Sequence, residues 1–240
     1  MKTIVHKANT RGFANHGWLQ ANHSFSFASY QNRDRMHFGA LRVLNDDVLE
    51  PKMGFGTHPH DNMEIITIPL KGVLKHRDSM HNSWESVMPG EVQVMSAGKG
   101  IQHSEINGSQ DEYLSLFQIW IIPNKQNVEP RYDQKTFDAK ARQNKLQTLV
   151  SSIEEDLDGT LKIHQDAKLS ILDLDKDREF SYSLKSENHG VYVMLIHGKL
   201  KISDDVLETR DAIGISETKQ FKVEAQADSS MLFIEVPMVF

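Results

Sequence analysis

"EIITIPLKGVLKHRD" (Glu64–Asp78) alternates apolar and polar residues, breaks at Gly72 and resumes the alternation. A period of two puts every second side chain on one face of a strand, and a glycine between two such runs marks a turn. The same texture recurs in "GEVQVMSAG" (Gly90–Gly98), "GVYVMLIHGKLKIS" (Gly190–Ser203) and "KQFKVEA" (Lys219–Ala225). Short alternating runs punctuated by Gly, Pro and Asp predict an all-β chain built as a sandwich or barrel. Helix signals are few. The best is "SSIEEDLDG" (Ser151–Gly159), where a serine cap and acids in the first turns predict one short helix.

Working outward, the Gly72 break has a counterpart. "PLKGVLKHRDS" (Pro69–Ser79) aligns with "LIHGKLKISDD" (Leu195–Asp205), so that Gly72 meets Gly198. After a hairpin of different length, "PGEVQVMS" (Pro89–Ser96) aligns with "TRDAIGIS" (Thr209–Ser216), and Gly90 meets Arg210. The common order of these matches predicts two copies of one β unit. Between them, Pro123–Lys145 is polar and weakly patterned and reads as a linker. The expected halves are residues 1–135 and 136–240.

The copies differ where chemistry would sit. His103 meets Val223, Glu105 meets Ala225, and nothing in "FSYSLKSENHG" (Phe180–Gly190) matches the His-x-His of "GTHPHDNMEI" (Gly56–Ile65). In a strand, residues i and i+2 point to one face, so His58 and His60 form one pair and His103 and Glu105 another. If both strands line one interior, they supply three imidazoles and a carboxylate. Such donors suit Fe(II), Mn(II), Ni(II), Cu(II) or Zn(II), and four ligands on an octahedral ion leave two positions open for reactants. Pro59 between the histidines fits an edge strand or a strand start.

The 240 residues carry no cysteine, which excludes disulfides, thiolate catalysis and zinc–thiolate sites. The net charge of −6 lacks the basic footprint that direct nucleic-acid binding needs. No apolar run approaches the ~20 residues of a membrane span. "MKTIVHKANTRGFANHG" (Met1–Gly17) has no apolar core, so it does not read as a secretory signal, and a soluble cytoplasmic protein is expected.

"GTHPHDNMEI" followed by "PGEVQVMSAGKGIQHSEIN" (Pro89–Asn107) resembles the paired motifs of the cupin superfamily, and more specifically the pirin family. "RGFANHGWLQANHSFSFASY" (Arg11–Tyr30), "LRVLNDDVLEP" (Leu41–Pro51), "LFQIWIIP" (Leu116–Pro123) and "LKIHQDAKL" (Leu161–Leu169) share that resemblance. It implies two tandem cupin barrels (a bicupin) with one divalent metal per chain, in the first barrel only. Fe(II) is the foremost choice, with Mn, Ni, Cu, Co or Zn as alternatives. The family's three-His, one-Glu pattern falls on His58, His60, His103 and Glu105. In many other cupins the acid follows the His-x-His, which here makes Glu64 the competing ligand.

The resemblance further implies a quercetin 2,3-dioxygenase-like enzyme that cleaves a flavonol with O2 and releases carbon monoxide. Glu105 is then also the candidate general base. Phe25, Phe27, Phe38 and Phe55 are candidate walls for an aromatic substrate. The alternative is a redox-sensitive regulator acting through protein partners; a third is a barrel that keeps metal for stability alone. A monomer is expected. His76, His81, His189 and His197 read as solvated, His164 and Asn107 as structural, and His16 and His23 as possible neighbours of the pocket.

Overall fold

The computed structural model describes residues 1–240. All regular structure is β apart from two short 3-10 turns, Ala8–Thr10 and Ala139–Arg142. Four sheets form, two of seven strands and two of four. Each seven-stranded sheet is paired with a four-stranded one, one pair built mainly from each half of the chain, which gives the expected two cupin barrels in tandem. No helix is long and apolar enough to cross a membrane.

The repeat is visible strand by strand. Glu64–Lys71 and Leu74–Asp78 turn at Gly72; His189–His197 and Lys199–Ile202 turn at Gly198. Both glycines hold positive φ, 82° and 103°. That conformation costs an L side chain energy, which is why both copies spend a glycine there.

The two seven-stranded sheets lie back to back. Leu44, Ile66 and Phe117 of one, with Phe25 from the segment after strand Leu19–His23, pack with Val150, Tyr192, Leu232 and Ile234 of the other in a single buried cluster. Each such side chain contributes roughly 1.5–3 kcal/mol, so parting the sheets would forfeit an amount on the order of a typical net stability, about 5–15 kcal/mol. The halves therefore act as one body. At the edge of this interface, Asp46 of the first half is gripped by Arg11 at 3.1 Å and by Arg210 of the second half at 3.2 Å.

Three expectations are corrected. Residues 151–159 are not helical: Ser151 and Ser152 end the strand Gln147–Ser152, and turns follow. Leu149 and Val150 sit in the intersheet core, and that burial overrides the local capping signal. The polar stretch 123–145 is not a plain linker, because Arg131–Thr136 is an edge strand paired with Glu91–Ser96. Its polarity is that of an edge facing water. Lys2–His6 does not join the rest of residues 1–135; it pairs with Ala212–Ser216 at the edge of the second half's large sheet.

Candidate metal centre

Two adjacent strands of the first four-stranded sheet carry the expected ligands. Gly54–His60 is the edge strand, so Pro59's missing donor sits where a ladder bond is least needed. His58 lies directly across from His103 on Ile101–Asn107, and directly paired residues share a face. Ring centroids are 4.4 Å apart for His58 and His103, and 4.9 Å for each of the other two pairs with His60. One nitrogen from each ring lies within 4.8 Å of the others.

Local sequence makes this convergence possible. A Cβ on Gly54 would stand 2.1 Å from the Glu105 carbonyl oxygen, so glycine lets the two strands close up. His103 pairs with His58 but Glu105 pairs with Phe55, so two steps on one strand span three on the other. Irregularities of this kind re-aim side chains beside functional sites.

The residues fit an ion. His58 Nδ1 is 2.8 Å from the Gly56 carbonyl oxygen, which can only accept; Nδ1 therefore carries the proton and Nε2 keeps its lone pair. His103 is buried with neither ring nitrogen partnered. Leaving a buried polar atom unpaired costs about 1–3 kcal/mol, which a bound ion would recover. Burial pushes His103 down to about 2, and the neighbouring His58, His60 and His76 add to the shift. Burial, then His58, pushes His60 down to about 4, while Asp61 opposes. Both are thus neutral imidazoles near neutral pH, the form that binds transition metals. His58, His60 and His103 form a metal site.

Glu105 lies on His103's face and lines the same cavity, but outside the three-nitrogen cluster. Gln118 Nε2 donates to both of its oxygens, at 2.9 and 2.8 Å, and Thr67 Oγ1 holds Gln118 Oε1 at 3.3 Å. Burial pushes Glu105 up to about 7, against the opposing pull of Gln118. Glu64 drops out as a competitor. The non-strand residues 61–63 break the period after His60, and it is Ile65 that lines the cavity. Glu64 faces the other way and accepts from Ser96 Oγ at 2.7 Å, with burial raising it to about 7.

The cavity has a volume of about 250 Å³. Phe27, Phe55, Ile65 and Trp120 supply apolar walls; His23, Asn45, Asp47 and Gln118 supply polar ones. Of the four expected wall residues, Phe27 and Phe55 take that place. Phe25 and Phe38 do not: they pack in the intersheet core against Tyr192, with ring centroids 5.3 and 5.6 Å away.

Several residues escaped sequence reading. In "FQIWII", Phe117, Ile119 and Ile121 face the intersheet core, leaving Gln118 and Trp120 to the cavity. A glutamine interrupting an apolar strand was the available signal. Asn45 and Asp47 face inward by the same alternation. Burial pushes Asp47 up to about 8, with the charges of Asp46 and Glu105 adding, and its Oδ1 is buried without a partner.

Among the histidines, His23 lines the cavity and bonds Asn45 at 2.9 Å, whereas His16 is exposed. His81 and His197 are exposed as expected. His76 is not solvated: it is buried, stacked on Tyr132 at 5.0 Å and 5.3 Å from His103. The inward alternation of Leu74, His76 and Asp78 was its signal. His189 is also buried, between Ser186 and Asp166. Asn107 is structural, donating to the carbonyls of Leu49, Glu50 and Glu112.

Comparison with known proteins gives a consistent picture. A family model described as Pirin matches residues 5–121, and one described as the quercetinase C-terminal cupin domain matches residues 149–236. A quercetin 2,3-dioxygenase from Escherichia coli (strain K12) is 44% identical over 235 residues, 98% of this chain and 99% of that protein. A pirin-like protein from Caulobacter vibrioides is 38% identical over 224 residues, covering 93% and 95%. The crystal structure of the bacterial pirin YhhW from Escherichia coli in complex with nickel(II) superposes with a TM-score of 0.92 at 41% identity, covering 99% of this chain and 100% of that one.

Proposed function

The chain belongs to the pirin family, and from that premise we propose that it is a metal-dependent dioxygenase cleaving a flavonol such as quercetin with O2 and releasing carbon monoxide. The observation that carries this reading is the joining of the three-imidazole site to an aromatic-walled cavity. A regulator acting through its surface needs no such cavity, so turnover is favoured over that alternative.

In this reading Glu105 is the fourth ligand, and Fe(II) is the ion, with Mn, Ni, Cu, Co or Zn suiting the same donors. When bound, the ion supplies Lewis-acid and redox chemistry at the cavity wall. The protein's own groups do the rest. Phe27, Phe55 and Trp120 hold the flat ring system and exclude water. Glu105 accepts the flavonol hydroxyl proton on a carboxylate oxygen. Gln118, fixed by Thr67, keeps that carboxylate aimed at the imidazoles' side of the cavity. In this reading the chain acts as a cytoplasmic monomer; every residue invoked comes from one barrel, so the site itself needs no second chain.

Metal analysis of the purified protein, followed by aerobic incubation with quercetin and detection of carbon monoxide, tests this. The expected result is turnover by the wild type. Absence of turnover in metal-replete protein would overturn the reading.

A further inference from the structure

The polar groups of the cavity are nearly all committed. Glu105 is held by Gln118, Gln118 is held at both ends, and His23 Nδ1 engages Asn45 Oδ1. Apart from the three histidines of the metal site, Asp47 is the exception. It is only 3% exposed, it lines the cavity, and its Oδ1 has no partner. A buried carboxyl oxygen left unpaired is costly, and native proteins rarely keep one without a use.

The position is built rather than accidental. Asp47 lies on Leu41–Leu49, whose alternation sends Leu44 and Asp46 toward the second barrel and Asn45 and Asp47 toward the cavity. The strand is central in its sheet, paired with Leu114–Ile121 on one side and Leu19–His23 on the other, so the side chain is rigidly presented. At about 250 Å³ the cavity is smaller than the ~300–1,000 Å³ usual for ligand sites, so a bound ring system touches most of its wall. A hydroxyl carried to Asp47 would meet a carboxyl group that no protein group satisfies, able to accept from it or donate to it.

We infer that Asp47 is a substrate-binding residue that hydrogen-bonds a second hydroxyl of the aromatic substrate, one other than the hydroxyl directed at His58, His60 and His103. The inference rests on the flavonol-cleaving reading for its substrate class.

The test uses quercetin and 3-hydroxyflavone, which keeps the ring-cleavage hydroxyl and lacks the other four. Binding to the holoprotein without O2 is followed by quenching of tryptophan fluorescence, Trp120 being a cavity wall, and turnover is followed in air. The wild type is expected to bind quercetin roughly 10- to 100-fold more tightly, the worth of one hydrogen bond to a charged or strongly polar group. Asp47→Ala is expected to bring that ratio close to one, and Asp47→Asn, which keeps a hydrogen-bonding amide of the same size, to retain part of it. Metal content and circular dichroism identify any variant that has merely lost its fold. An unchanged ratio in folded Asp47→Ala, or equal weakening of both ligands, overturns the inference while leaving the enzymatic reading intact. Selective loss of the ratio in a protein that turns over neither flavonol does the reverse. Failure of the wild type to bind either ligand overturns both.

Discussion

In the first barrel His103 stands across from His58; in the second, Val223 stands across from Phe180 at the equivalent crossing of the small sheet. The interior behind Val223 is filled. Tyr182 stacks on Phe233 at 4.9 Å and on Phe221 at 5.4 Å, and Leu200, Ile202 and Leu207 close the remaining space. The first barrel's interior instead splits into two smaller apolar clusters with the cavity between them. One topology thus supports two interiors. A close-packed apolar fill stabilises, whereas a hollow with unpaired polar atoms costs stability and gives room for chemistry.

Breaking the first interior should have the largest effect. His103→Ala is expected to strip the metal and lower flavonol turnover by more than ~10²-fold, since even outer partners of metal ligands cost 10–100-fold. Metal analysis of the folded variant checks this; undiminished metal content would refute the site. Carrying the chemistry across is the converse test. Val223→His should bind no metal and should lower stability by about 3 kcal/mol in urea unfolding, because it buries an unpaired imidazole where a fully enclosed valine packed.

A third test concerns His6, which belongs to the second barrel's sheet and bonds Tyr192 Oη at 2.8 Å. Burial, with a smaller push from Arg35, lowers it to about 4. The unfolded chain therefore binds the extra proton first as pH falls below about 6.5. Its contribution to stability is full above that pH, is lost progressively toward pH 4, and amounts to at most about 3 kcal/mol. His6→Gln should flatten the wild-type stability profile between those limits; identical slopes would show that His6 plays no part. The smallest effect is expected from Gln118→Leu, which leaves the ligands in place and releases Glu105. About a 10-fold loss of turnover with near-normal metal content is expected.

The strand texture and the two-copy order were legible because alternation is a local signal and a hairpin glycine at positive φ is a strict one. The histidines were legible because i, i+2 spacing fixes a common face. Glu64 remained ambiguous for the same reason, since period-two counting cannot see the turn at residues 61–63 that resets the phase. The helix expected at 151–159 failed because caps and acids report local preference, whereas Leu149 and Val150 are claimed by a distant sheet. His76 was overlooked as a polar residue in a polar stretch, although its burial follows from Leu74 and Asp78 on either side. Asp47 was invisible as a site residue because an aspartate beside another aspartate reads as a solvated pair, and only the fold reveals that they point opposite ways.

The edge pairing of Lys2–His6 with Ala212–Ser216 has a consequence for synthesis. A ribosome makes about 5–20 residues per second, so roughly 10–40 seconds separate the first of these strands from its partner. During that interval the early strand has no sheet to join, while the barrel that follows it can already close. The second barrel is completed by a segment that waited through the making of the first.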